Sequence, residues 1–401
     1  MPDSRSLLLG LGAATALAAA AVLSGCAPAR LGASPSAASP AAPRLVDPAA
    51  TPETRALYAN LLRLQNSGDI LFGQQDATAY GVGWRPAPGE AAASVEARSD
   101  FRAVAGDFPA VYGWNAAFVG TRAFGIDSVD FALQRDLAVR AYRRGGVNTY
   151  AWHTNHPAGT SVSDTTHTVA EALPGGPFHE AFKAQLDQVA AYFDQHRDGA
   201  TQVPIIFRPF HEHTGSWFWW GKAHSTPEEF VALWRFTVEY LRDEKDLHHL
   251  LYAYSPDLFN TREEYFERYP GDAYVDILGF DDYYDFWGDG RSADQFTAQM
   301  RLLGQFADER GKVAALTEFG TEFGKIPPAT VATWWTDVFL PALRADAGSS
   351  RIAYMVTWRN RDAEHFFASY PASPTAPSFR AFVDAPGVLT AREAPPMYRL
   401  P

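Results

Sequence analysis

VPIIFRPFHE, residues 203–212, decides the fold. Five apolar residues come first, Arg208 interrupts them, and the stretch ends on a histidine and a glutamate. A strand with one wet face alternates apolar and polar residues. A near-continuous apolar run marks a strand covered on both faces, as in a parallel sheet under helices. Seven other stretches share the pattern: ILFGQQD (70–76), AVYGW (110–114), VNTYAWH (147–153), HLLYAYSPD (249–257), VDILGFDDY (275–283), VAALTEFG (313–320) and IAYMVTWRN (352–360). Each is apolar first and polar or aromatic last.

Between these runs lie amphipathic stretches of helical period, at 127–146, 179–196, 226–244 and 292–311. Thr226, Pro227 and Glu229 read as N-cap, first-turn proline and capping-box glutamate. Eight buried strands mostly separated by helices predict an α/β fold: a single (β/α)8 (TIM) barrel over residues 48–401, with extended βα loops and no internal repeat. Barrels of this kind build their sites at the C-terminal strand ends. That is where the Gln pair, the histidines, the carboxylates and the tryptophans fall.

The 401 residues carry 34 basic and 46 acidic side chains, a net charge of −12 with no basic run. A polyanion such as nucleic acid is therefore a poor partner. Aromatic residues make up 14%, with 11 Trp, which fits either a Trp-rich core or a flat, weakly charged ligand.

The N-terminus reads as a targeting segment. Arg5 precedes the apolar run LLLGLGAATALAAAAVLSG, which ends at Cys26, the single cysteine of the chain. LSGC (23–26) resembles a bacterial lipoprotein processing box, in which the cysteine becomes the lipidated first residue. The expectation is a signal peptide over 1–25, then lipidated Cys26 with an Ala/Pro/Ser linker over 26–47. Ala27 favours an outer-membrane location, with membrane attachment through the lipid and a monomeric enzyme.

Glu212 ends the fourth strand and Glu318 the seventh. Paired carboxyl groups across a cleft are what glycosidic bond cleavage needs: one protonates the leaving oxygen, and the other attacks the anomeric carbon or activates water. A metal reading of HEH (211–213) is weaker. On strand alternation His211 and His213 point one way and Glu212 the other, and the spacing is not the helical HExxH pattern. No metal and no cofactor is expected, and His213 reads as a structural histidine. Alternation along WFWW places Trp217 and Trp219 on one face and Phe218 and Trp220 on the other, so half of that run is expected in the core. Trp334 and Trp335 read as packing between helix and barrel, and His248 and His249 as structural residues below the fifth strand. Of Asp281 and Asp282, one is expected to orient the site and the other to be solvated.

Together LFGQQDATAYGVGW, DFPAVYGWN, YAWHTNHP, RPFHEHTGSWFWWG, YAYSPD, YPGDAYVDILGFDDYY, LTEFG and YMVTWRN resemble a glycoside hydrolase family 26 β-mannanase, from about residue 70 to 385. The resemblance implies a retaining (β/α)8 hydrolase with Glu212 as acid/base and Glu318 as nucleophile. It implies sugar contacts from His211 and His153 at the cleavage site, and a hydrogen bond from Tyr283 to the nucleophile. Trp217 and Trp358 would be aromatic walls. Asp281, Arg359 and Phe323 are further substrate-binding candidates, the last two toward the non-reducing side. YGWN more often ends in Asp in that family; here Asn115 stands in its place. The expected activity is hydrolysis of β-1,4-mannan, galactomannan or manno-oligosaccharides, acting internally or releasing mannobiose from chain ends. The alternatives are a β-1,3-xylanase or mixed-linkage glucanase of the same family, or a carbohydrate-binding lipoprotein without catalysis.

Overall fold

A computed structural model describes residues 44–283, 293–323, 326 and 331–400. The proposed signal peptide, Cys26 and most of the linker lie outside these residues. Eight strands are numbered here in chain order: β1 (Ile70–Gln75), β2 (Val111–Asn115), β3 (Val147–Trp152), β4 (Ile205–Pro209), β5 (Leu250–Tyr254), β6 (Ile277–Asp282), β7 (Val313–Phe319) and β8 (Tyr354–Thr357). Each pairs in parallel with the next, and β8 pairs with β1, so the sheet closes. All eight expected strands are present, within a few residues of their predicted ends. A short strand, Val388–Leu389, also pairs with the start of β1.

Two separate clusters of buried side chains follow from closure. Leu71, Val111, Val147, Ile206, Leu251 and Ile277 point into the barrel. Their chain neighbours Phe72, Tyr112, Ile205, Phe207, Leu250 and Leu278 point outward under the helices. The strands read as unbroken apolar runs because both faces are covered.

The inner cluster is closed below by helix α1 (Pro52–Ser67), which is N-capped by Thr51 and ended by Gly68 at φ 80°. Its Leu57, Leu61 and Leu64 join the barrel interior. The chain enters the described structure at this lower pole. Lys312, before β7, donates to the carbonyl of Arg44 at 3.0 Å, and Val46 N donates to Asp276, before β6, at 2.8 Å. The C-terminal segment ends at the same pole, where Asn60 of α1 donates to the carbonyls of Met397 and Arg399.

The expected helices form at Phe131–Arg143, His179–Asp194, Pro227–Glu239 and Ala293–Arg310. Thr226 and Glu229 complete the predicted capping box. Trp334 and Trp335 pack as expected between helix and barrel: the Trp335 ring lies 5.9 Å from that of Phe72 on β1. His249 is buried before β5 and His248 bonds Asp47 and Asp246, in line with structural roles.

Candidate active site

The pocket forms where β4 stops being a strand. Pro209 ends the ladder, and Phe210 and Glu212 adopt positive φ values of 50° and 53°. A left-handed conformation costs a non-glycine residue about 1–2 kcal/mol. Here it breaks strand alternation at the position where the candidate acid stands. His211 and His213 therefore do not share a face, contrary to expectation. His211 turns toward His153, while His213 is buried against Phe230 and Tyr254, with ring centroids 4.4 and 4.7 Å away.

Arg208 lies at the centre. It is buried on β4 and donates to Asp281 of β6 at 2.5 Å, to Ser255 Oγ at 3.2 Å, and to Glu318 Oε2 of β7. Tyr283 donates to the other oxygen of Glu318 at 2.5 Å. Two donors, Arg208 on β4 and Tyr283 just past β6, thus hold the Glu318 carboxylate. Asp281 also accepts from Ser255 at 2.9 Å and from Thr317 at 2.8 Å. Close packing permits this: a Cβ on Gly279 would lie 2.5 Å from Thr317 Cγ2.

Glu212 is less enclosed. Trp217 Nε1 donates to its Oε2 at 2.7 Å, and the Trp217 ring is 38% exposed. Burial, followed by the negative fields of Asp281, Glu318 and Asp257, holds the Glu212 carboxyl well above the usual carboxylate range; only the Trp217 bond opposes them. Burial also pushes Asp281 up to about 8, against the pull of Arg208. The cluster has three carboxyl groups beside one guanidinium, and it keeps protons to limit its negative charge.

A third group faces these. Asn115 at the end of β2 bonds His153 Nδ1 at 2.7 Å, and His153 bonds His211 at 3.1 Å between their Nε2 atoms. Burial and the Arg208 charge push His153 down to about 3. Burial first, then His153 and Arg208, hold His211 well below the ordinary histidine range. The Trp358 ring stands 6.4 Å from that of His153. Arg359 ion-pairs with Asp127 in the loop after β2, and its field reaches Asp76 at the end of β1.

Several expectations need correction. Asp281 is fully buried behind Glu318 and spends its oxygens on Arg208, Ser255 and Thr317, so it orients the site rather than touching a sugar. Asp282 is also fully buried, not solvated. Phe323 packs against Trp334, Trp335 and Phe366 at 5.2–5.9 Å and does not join this cluster. In WFWW only Trp217 is exposed. Phe218 and Trp220 pair at 4.7 Å, and Trp219 is buried with its N–H on Thr154 O. The run is a set of turns rather than a strand, so alternation does not apply.

Arg208, Ser255 and Thr317 carry the hydrogen-bond framework, yet the sequence reading gave them no role. Arg208 had a signal: a charged residue inside an otherwise apolar strand must be paired when buried. As for a metal, His211, Asp281 and Glu318 bring one donor atom each within 4.8 Å of one another. Arg208 already bonds both of those carboxylates, so a guanidinium supplies the positive charge that a cation would bring.

Comparison with known proteins places the chain in a family. A profile of glycosyl hydrolase family 26 matches residues 46–334. A mannan endo-1,4-beta-mannosidase of Bifidobacterium adolescentis is 37% identical over 84% of this chain, which spans 34% of that protein. A mannan endo-1,4-beta-mannosidase of Bacillus subtilis (strain 168) is 30% identical over 49% of this chain and 56% of its own length. The chain thus spans about a third to just over half of these curated relatives. Among solved structures, a GH26 beta-mannanase of Bacteroides ovatus superposes with a TM-score of 0.79 at 34% identity, covering 87% of this chain and 98% of that one. A modular endo-beta-1,4-mannanase of Cellulomonas fimi gives 0.79 at 40% identity, over 89% and 79%.

Proposed function

The chain belongs to glycosyl hydrolase family 26, and from that premise we propose that it cleaves β-1,4-linked mannan or manno-oligosaccharides with retention of configuration. The observation that carries this reading is the contrast between its two glutamates. Glu212 is held protonated, while Glu318 is aimed by Tyr283 and Arg208. A carboxyl that favours its protonated form beside a second carboxyl held in place by two donors is the arrangement a double displacement uses. Glu212 gives its proton to the glycosidic oxygen as that bond breaks, and Glu318 attacks the anomeric carbon to form a glycosyl ester. The ester carries no charge, so one of the fields that raised the Glu212 pKa vanishes. Glu212 then takes a proton from water, which displaces Glu318 from the sugar.

Trp217 offers its exposed face to the C–H side of a sugar ring, and Trp358 a second wall. His153 and His211 line the cleavage position as neutral rings. Arg359 stands further along the cleft beside Asp127.

The test is a time course of products from manno-oligosaccharides and galactomannan, with viscosity followed in parallel. Mannobiose alone with little viscosity loss assigns action at chain ends. A spread of oligosaccharides with rapid thinning assigns internal cleavage. Xylan or glucan cleavage without mannan cleavage overturns the substrate. Glu318→Ala is expected to lower kcat by at least about 10⁴-fold while leaving oligosaccharide binding measurable, as loss of a reacting group does. We further propose that the chain is a lipoprotein anchored through Cys26 in the cell envelope. Cys26→Ser should abolish lipid labelling and release the protein into the soluble fraction.

A further inference from the structure

Asn115 does more than fill space beside His153. Its Oδ1 accepts the backbone N–H of Ala117 at 2.9 Å, which fixes which way the amide faces. The atom that meets His153 Nδ1 at 2.7 Å is therefore the NH2 group, a pure donor. A donor there requires a lone pair on His153 Nδ1, so the neutral ring carries its proton on Nε2. That proton points at His211 Nε2, 3.1 Å away, which must accept it. His211 is left with its proton on Nδ1, a buried atom with no hydrogen-bond partner among the described residues.

We propose that Asn115 is a positioning residue that sets the proton on both histidines through this one-way chain, keeping the pair neutral and presenting His211 Nδ1–H as a donor without a protein acceptor. That N–H is a buried donor the described fold leaves unpaired, so its partner must come from outside the described protein atoms. Neutrality matters because an imidazolium beside Glu212 would favour its carboxylate and weaken it as an acid.

The surroundings agree. The charged or titratable groups acting on His153 are Arg208 on β4 and His211 just beyond it, while Phe218 and Trp358 present uncharged rings. On His211 they are His153, Arg208 and His213, beside the rings of Phe218 and Trp220. Carboxyl oxygens of Asp281 and Glu318 come within 4.8 Å of a His211 ring nitrogen, but Arg208 bonds both of those groups, and neither histidine has a carboxylate as a hydrogen-bond partner among the described residues. An aspartate at 115 would supply one. It could still accept from Ala117 N, but its second oxygen would demand a proton on His153 Nδ1.

The experiment is ¹⁵N NMR of ring-labelled histidine in the whole protein, with the His153 signals identified by their loss in His153→Asn. In the wild type His153 is expected to show protonated Nε2 and bare Nδ1 from pH 5 to 8. A protonated Nδ1 overturns the proposal with no variant needed. In Asn115→Asp both His153 nitrogens are expected to be protonated at pH 6. Its kcat/KM profile should gain an ionisation near neutral pH that the wild type lacks, with activity lowered about tenfold on its acid side, the size of one misplaced hydrogen bond. Superimposable profiles overturn the functional half. The inference rests on the mannan reading only for that activity arm. A protein with the stated protonation and no mannan cleavage would refute the substrate assignment and leave the proton chain standing.

Discussion

Replacing Arg208 with methionine keeps most of the side chain's volume and removes the positive charge shared by two buried carboxyl groups. Arg208, Asp281 and Glu318 are 4%, 0% and 5% exposed at the side chain, so water offers almost no compensation. Breaking a buried pair in this way costs about 3–5 kcal/mol. The same magnitude follows from proton counting. Burial raises the wild-type Asp281 carboxyl above the ordinary carboxylate range even against the pull of Arg208. Without the guanidinium, the buried acidic cluster of the folded variant must hold about one more proton than in the wild type. One extra proton held by the folded chain and not by the unfolded chain costs about 1.4 kcal/mol per pH unit, or roughly 4 kcal/mol between pH 4.5 and 7.5. The sign is fixed: a carboxyl whose folded pKa lies above its unfolded value destabilises the fold progressively as pH rises above the unfolded value. The stability gap between wild type and Arg208→Met is therefore smallest near pH 4.5 and largest near pH 7.5. Urea midpoints read by circular dichroism at three pH values measure it, provided the slopes stay constant. Adding Glu318→Gln to the variant should recover most of the loss at pH 7.5. A gap independent of pH, or largest at pH 4.5, refutes the account of Arg208 as the counter-charge of the cluster.

Trp217→Phe removes the bond that favours the charged form of Glu212. The alkaline limb of the kcat/KM profile is expected to move up, by a modest amount because Trp217 is 38% exposed and water competes for the carboxylate; a downward move contradicts the role given to the indole N–H. Gly279→Ala presses a methyl group on Thr317, one of the donors to Asp281. Overpacking of this kind costs about 1–3 kcal/mol, so thermal unfolding should show a lowered midpoint, with kcat falling more than KM changes. An unchanged midpoint would mean that the β6–β7 contact has slack.

Strands and helices were legible because their periods were clean and their caps explicit. The run from Ile70 to Gln75 and the capping box at Thr226 required no tertiary information. Glu212 and Glu318 were legible because a carboxylate closing an apolar strand has few structural reasons to be there. Other features depend on who meets whom across strands. Asp281 looked like a cleft residue until Ser255, Thr317 and Arg208 were seen around it. Phe323 looked like one until Trp334 and Phe366 covered it. Alternation failed along HEH and WFWW because Pro209 ends the ladder before either begins. A period carries information only while the backbone that generates it continues.

Both ends of the described chain leave from the pole that α1 closes, opposite the carboxylates. The barrel therefore has a handle and a mouth on opposite sides. Arg44 and Arg399, near the two ends of the described chain, both lie on the handle side, away from Glu212 and Glu318. Such a barrel can be immobilised, fused or placed in a longer chain without rebuilding its cleft.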